Sequence, residues 1–172
     1  AKEIIRERGQ AIAKKRSERE ASEGAVIART SDDDKKGIII CLNSETDFVA
    51  KNEDFLKIAD KIADLALEKM PENLEELKNL EIDGKSVQKN VEETSGVTGE
   101  KVELSYFDKL EADFIVSYIH MNNSIGTIVS ANKKADHEVV KNVAMQVAAM
   151  NPLALDKDGV PQDVIDKEME IG

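Results

Sequence analysis

One pattern occurs twice in this chain and limits what it can become. An apolar run that opens on glycine, Gly37-Ile38-Ile39-Ile40, precedes the helical spacing of Lys57-Ile58-Ala59-Asp60-Lys61-Ile62-Ala63. Its counterpart is Gly126-Thr127-Ile128-Val129, followed by Asn142-Val143-Ala144-Met145-Gln146-Val147-Ala148. Each helical stretch stops at a methionine and a proline, Met70-Pro71 and Met150-Asn151-Pro152. A strand-like run giving way to a period near 3.6 is what a hairpin backed by a helix requires. The echo predicts an α+β protein of two related subdomains, each a small antiparallel sheet packed with helices. The two strands lie 89 residues apart and the two helices 85, so the first copy holds four extra residues between strand and helix. They fall in the loop 44–53, a junction where function is added to a scaffold.

Local signals fill in the rest. Residues 2–23 read as a polar helix with a thin apolar stripe, and Gly24 as its stop. Residues 25–30 and 38–42 read as strands joined by the polar loop 31–37, whose three aspartates suit a turn better than a cation site. Phe55, Ile58, Ala59, Ile62, Leu65 and Ala66 repeat at three and four, so 54–69 is an amphipathic helix ended by Pro71. Short helices are expected at 72–79 and 86–98, and strands at 101–109, 112–121 and 125–132. Asp136 caps a helix over 137–150, with Val139, Val140, Val143, Ala144, Val147 and Ala148 as its apolar side. Pro161 suits the first turn of a last helix. The implied division is 1–24 as a leading helix and linker and 25–100 as one subdomain. A second subdomain covers 101–152, and 153–172 holds the last helix.

Charge and composition exclude several classes. The net charge of -11 argues against a nucleic-acid binder. Residues 1–24 hold seven Lys/Arg and five Asp/Glu, a net of +2, and here Arg16 and Arg19 read as part of a solvated helix of mixed charge. Cys41 is the single cysteine, so no intrachain disulfide can form, and its apolar run makes it a small buried hydrophobe. This fits a reducing, cytoplasmic setting. No apolar run reaches the roughly 20 residues a membrane span needs. One cysteine with His120 and His137 gives no Cys/His metal set, and no phosphate-binding glycine loop or nucleophile elbow is present. Neither an enzyme nor a cofactor is expected. The chain begins at Ala1 and stops at Gly172 in a helical pattern, so it reads as a piece of a longer protein.

Only 3% of the residues are aromatic, yet Phe48 stands in the junction loop between Asp47 and Lys51. Such a ring either folds into its own core, under Val49 and Phe55, or fills a pocket on a partner. Its segment, Thr46-Asp47-Phe48-Val49-Ala50-Lys51-Asn52, resembles the signature of the elongation factor Ts family. The resemblance covers most of 10–165 and extends to Lys14-Lys15, Glu23-Gly24, Ser124-Ile125-Gly126-Thr127-Ile128-Val129 and Ala144-Met145-Gln146-Val147-Ala148-Ala149. Family members commonly carry His where this chain has Gln146. By the resemblance, 153–172 would start the family's helical, coiled-coil protrusion, whereas its N-terminal three-helix domain, most of that coiled coil and its C-terminal module have no counterpart here.

What the resemblance implies is a guanine nucleotide exchange factor for elongation factor Tu. Phe48 would be an apolar wedge against the GTPase domain near its magnesium ion. Asp47 would set its angle, and Thr46, Val49, Lys51 and Asn52 would flank it. Met145, Gln146 and Met150 would touch a distal domain. The partner would be elongation factor Tu, GDP-bound and nucleotide-free, with no nucleotide held by this chain itself. The alternative is an interaction or dimerisation module without exchange activity, which leaves a homodimer open.

Overall fold

An apolar run that alternates would leave one sheet face in water; 38–42 does not alternate, and the structure shows why. The computed structural model of the protein describes Arg16 and residues 18–171. Strand β1 (Glu23–Thr30) pairs antiparallel with β2 (Lys36–Ser44), from Glu23 opposite Ser44 to Thr30 opposite Gly37. Ile38, Ile40 and Leu42 enter the main core on one face of β2. Ile39 is buried on the other, where the second half of the chain covers it. A strand covered on both faces reads as continuous hydrophobicity.

Helix α1 is the single turn Asp47–Ala50, and α2 is Glu53–Lys69. Asn52 starts α2 by accepting from the N–H groups of Asp54 (2.9 Å) and Phe55 (3.4 Å). Phe55, Ala59, Ile62, Ala63 and Ala66 form its buried stripe against the hairpin. Met70, left-handed at φ 47°, ends it before Pro71. Helix α3 (Leu74–Asn79) buries Leu77. A two-residue hairpin follows, β3 (Glu81–Ile82) and β4 (Lys85–Ser86), turned by Asp83 and Gly84 at φ 54° and 76°. Two positive φ angles at Asp-Gly are the demand of a type I′ turn. Ser86 then caps α4 (Val87–Thr98) through the Lys89 N–H at 3.2 Å, and Gly99 at φ 74° closes it.

Strand β5 (Glu103–Glu111) pairs antiparallel with β2, giving the order β1-β2-β5 with a register shift between Cys41 and Leu42. The sheet thus runs across the boundary expected at 100/101. Strands β6 (Phe114–Ile119) and β7 (Gly126–Ala131) form the second hairpin, and α5 (His137–Met150) lies on it. Phe114, Val116 and Val140 make a small core of their own. Ile115 points the other way and is fully buried. A Cβ on Gly37 would stand 2.8 Å from its Cγ2, so the two units meet there. Backbone bonds from Ile115 N–H to Asp34 O (2.7 Å) and from Ala112 N–H to Lys35 O (3.0 Å) fasten the second unit to the first hairpin's turn. Past Pro152 the chain makes a 3-10 turn at Lys157–Gly159 and then α6 (Gln162–Ile171).

Several expectations change. The helix expected over 2–23 lies largely outside the described residues, but Glu23 and Gly24 belong to β1 rather than to a helix end. Gly24 is there because a Cβ would come within 2.4 Å of the Leu42 carbonyl oxygen. On α5 the covered face is Val140 and Ala144, while Val139 and Val143 are exposed. A two-stranded hairpin covers a narrower arc than the six apolar positions span. Cys41 is only half-buried, and its Sγ lies 3.3 Å from Asn43 Oδ1.

Candidate partner-binding site

A helix of one turn cannot hold itself together, because nucleation fixes several residues for a single hydrogen bond. α1 is held from outside. Before it, the buried Ser44 hydroxyl donates to the Thr46 carbonyl at 2.9 Å. Thr46 is the N-cap residue, yet its side chain makes no cap bond to α1. Its hydroxyl donates instead to Glu100 Oε1 (2.7 Å), and its N–H donates to Glu100 Oε2 (3.0 Å). Glu45 reaches the opposite way and accepts the Lys101 N–H at 2.7 Å. Arg16 (2.9 Å) and Arg19 (3.0 Å) complete the setting of Glu45. Burial pushes the Glu45 carboxyl up, but the Lys101 N–H and the two guanidiniums outweigh it and hold the group at about 2.

The turn so held is two-faced. Val49 packs on the main core and Ala50 is buried. Asp47 and Lys51 pair across the outer face at 2.6 Å. The Lys51 ammonium holds Asp47 below the usual carboxylate range, and Asp47 raises Lys51 in return. Phe48 stands out at 84% exposure, whereas Phe55, its rival for the interior, is at 1%. Beside the ring opens a groove of about 610 Å³ between α2 and α4, with Ile58, Asn90, Thr94 and Val97 along it. Val97 is itself 73% exposed, so Phe48 is not the sole apolar group offered there.

Thr46, Asp47, Phe48, Val49, Lys51 and Asn52 are therefore one structural unit with divided tasks. The side chains of Thr46 and Asn52 are spent on hydrogen bonds within the chain, and Val49 on the core. Asp47, Phe48 and Lys51 face outward. Met145, Gln146 and Met150 lie on α5 of the second unit, all exposed. Val139, Val143, Gln146 and Met150 follow one another at four, three and four residues, a single helix face with Gln146 inside an apolar stripe. Glu100 and Glu45 were not legible in the sequence, because their partners lie 54 and 56 positions away. Among the described residues no group of three or more His, Cys, Asp or Glu could hold a metal ion, and no helix is long and apolar enough to cross a membrane.

The family model described as elongation factor TS matches residues 45–172, which includes the whole turn that carries Phe48. The chain belongs to the elongation factor Ts family. It is 49% identical over 171 residues to elongation factor Ts of Christiangramia forsetii, covering 98% of this chain and 62% of that protein. Against elongation factor Ts of Bacteroides thetaiotaomicron the identity is 48% over 172 residues, 99% of this chain and 52% of that protein. The Porphyromonas gingivalis factor is 42% identical, with 99% and 62% covered. The chain thus spans about half to three-fifths of the length of these relatives.

Proposed function

We propose that this chain acts in nucleotide exchange on elongation factor Tu, with Asp47 and Phe48 inserted near the magnesium and phosphate site of that GTPase. The observation that carries the reading is the exposure of Phe48 on a turn that is tied down at Thr46 and packed on the core through Val49 and Ala50. A ring left in water on a braced support has little to lose in the free chain and much to gain in a partner's pocket. The exchange factor binds the nucleotide-free state of its partner more tightly than the GDP state. Linkage then requires that GDP be bound more weakly by the same factor. Displacing the magnesium ion removes the largest charge that holds the phosphates. The chain makes and breaks no covalent bond, holds no nucleotide, and works in the cytoplasm.

In this reading the exposed α5 face, with Met145, Gln146 and Met150, gives a second contact to a distal part of the GTPase, and α6 begins the protrusion expected for 153–172. The test is release of labelled GDP from elongation factor Tu with and without the chain. Acceleration that Phe48→Ala abolishes is the expected result. Binding without acceleration would favour an interaction module, and no binding would remove the partner.

A further inference from the structure

The two carboxylates that flank the Phe48 turn reach in opposite directions across one gap. Glu45, just before Thr46, takes the backbone N–H of Lys101 at 2.7 Å. Glu100, just before Lys101, takes the backbone N–H of Thr46 at 3.0 Å and its hydroxyl at 2.7 Å. The two segments are clasped reciprocally, although neither belongs to a shared sheet at this point. Glu100 is itself set by α4. It follows Gly99, the left-handed residue that closes the helix, and its N–H donates to the Thr98 hydroxyl at 3.3 Å. Charge-assisted bonds to both groups of one residue fix position and direction together.

We propose that Glu100 is a positioning residue of the exchange surface, locking the start of the Phe48 turn through Thr46 so that the ring is ordered before the partner arrives. The proposal rests on the reading of Phe48 as a partner anchor. A four-residue helix has no stability of its own, and its N-cap hydroxyl is engaged elsewhere, so the clasp supplies the missing order. An anchor that is ordered in only a fraction of molecules binds more weakly by that fraction. Loss of Glu100 therefore acts on the concentration of the chain needed, whereas loss of the ring acts on the exchange step itself.

Two measurements test this on the 172-residue chain. The chain contains no tryptophan, so Phe48→Trp gives a single tryptophan at the anchor, excited selectively over Tyr106 and Tyr118. Adding Glu100→Ala should lower its fluorescence anisotropy while circular dichroism shows the chain still folded; unchanged anisotropy in a folded chain overturns the proposal. In GDP release from elongation factor Tu, Glu100→Ala in the parent chain should raise the half-saturating concentration roughly tenfold and leave the maximal rate nearly unchanged. Glu100→Gln, which keeps an acceptor for the Thr46 N–H, should recover most of the loss; a shift below about twofold for Glu100→Ala overturns the proposal. If Glu100→Ala does not fold, Thr46→Val removes the hydroxyl bond alone and is read by anisotropy, which should fall in the folded chain; unchanged anisotropy overturns the proposal. Should the parent chain or Phe48→Ala show that the ring has no part in exchange, the proposed function fails. The anisotropy then decides the role of Glu100 by itself.

Discussion

Phe48 and Glu45 sit three residues apart and present opposite problems, one an apolar group in water and the other a charge under cover. Removing the Phe48 ring takes away surface already exposed, so Phe48→Ala should alter the chain's own stability by no more than about 0.5 kcal/mol. The same change should weaken exchange by about 2 kcal/mol or more, as loss of a desolvated aromatic anchor does. Asp47→Ala should act in the same direction and less strongly, and the pair should be non-additive if, as proposed, both serve one insertion. GDP release beside a thermal melt checks both; a large fall in Tm with exchange intact per folded molecule would contradict them. Glu45 yields to acid instead. Its carboxyl is held at about 2 against an ordinary 4.5, so its contribution to stability is complete above pH 4.5 and is lost as pH falls through about 2. Glu45→Gln should therefore be less stable than the parent above pH 4.5, with the gap closing between 4.5 and 2. A gap that stays constant in acid unfolding across that window would mean the ionic partners are not what holds the residue. Phe48 could be picked out of the sequence because an aromatic among turn residues is out of place by itself. Glu100 could not, since one carboxylate among 35 acidic residues becomes special only when folding brings Thr46 to it.

At the scale of elements, legibility followed the width of the surface to be covered. Helix α2 meets a broad sheet, so Phe55, Ala59, Ile62 and Ala66 of its stripe are buried, Ile58 and Leu65 partly so, and spacing alone located it. Ile62 is fully buried there, and Ile62→Ala should cost about 2–5 kcal/mol in denaturant unfolding. A loss below about 0.5 kcal/mol would mean the cavity closes at no cost, which a close-packed interior does not allow. Helix α5 packs mainly on β6 and β7, and the six apolar positions seen in the sequence are more than that hairpin can hide. Gln146 lies on the uncovered side, so Gln146→Ala should leave the melt unchanged within about 0.5 kcal/mol. If it also leaves binding to elongation factor Tu unchanged, the distal contact does not include this residue. The turn α1 escaped the sequence reading for a different reason. Four residues carry no period, and what makes them helical is a set of bonds to residues far along the chain.

For the whole molecule the question is how two similar units become one body. The echo of hairpin and helix was visible in the sequence, but the place of β5 was not, because alternation marks a covered face without saying which strand edge is free to pair. In the fold β5 completes the first sheet, and the second unit docks on that sheet's far face. One close point of the docking is Gly37, where an added methyl would lie 2.8 Å from Ile115 Cγ2; another is Gly126, where it would lie 2.6 Å from Val26 Cγ1. Ile115 is fully buried and is also tied through its N–H to Asp34, so it has little room to retreat. Gly37→Ala should therefore cost about 1–3 kcal/mol, the range for overpacking a filled interior. The damage should be unequal. The core beneath α2 lies on the opposite face of β2 from the new methyl, whereas β6 must move away from it. Hydrogen exchange should accordingly speed up at the Ile115 amide and along β6, while amides of α2 keep their protection relative to global unfolding. Uniform loss of protection would mean the two units unfold as one cooperative body. Full stability in the Gly37→Ala chain would mean instead that the junction is loose enough at this point to absorb a methyl group.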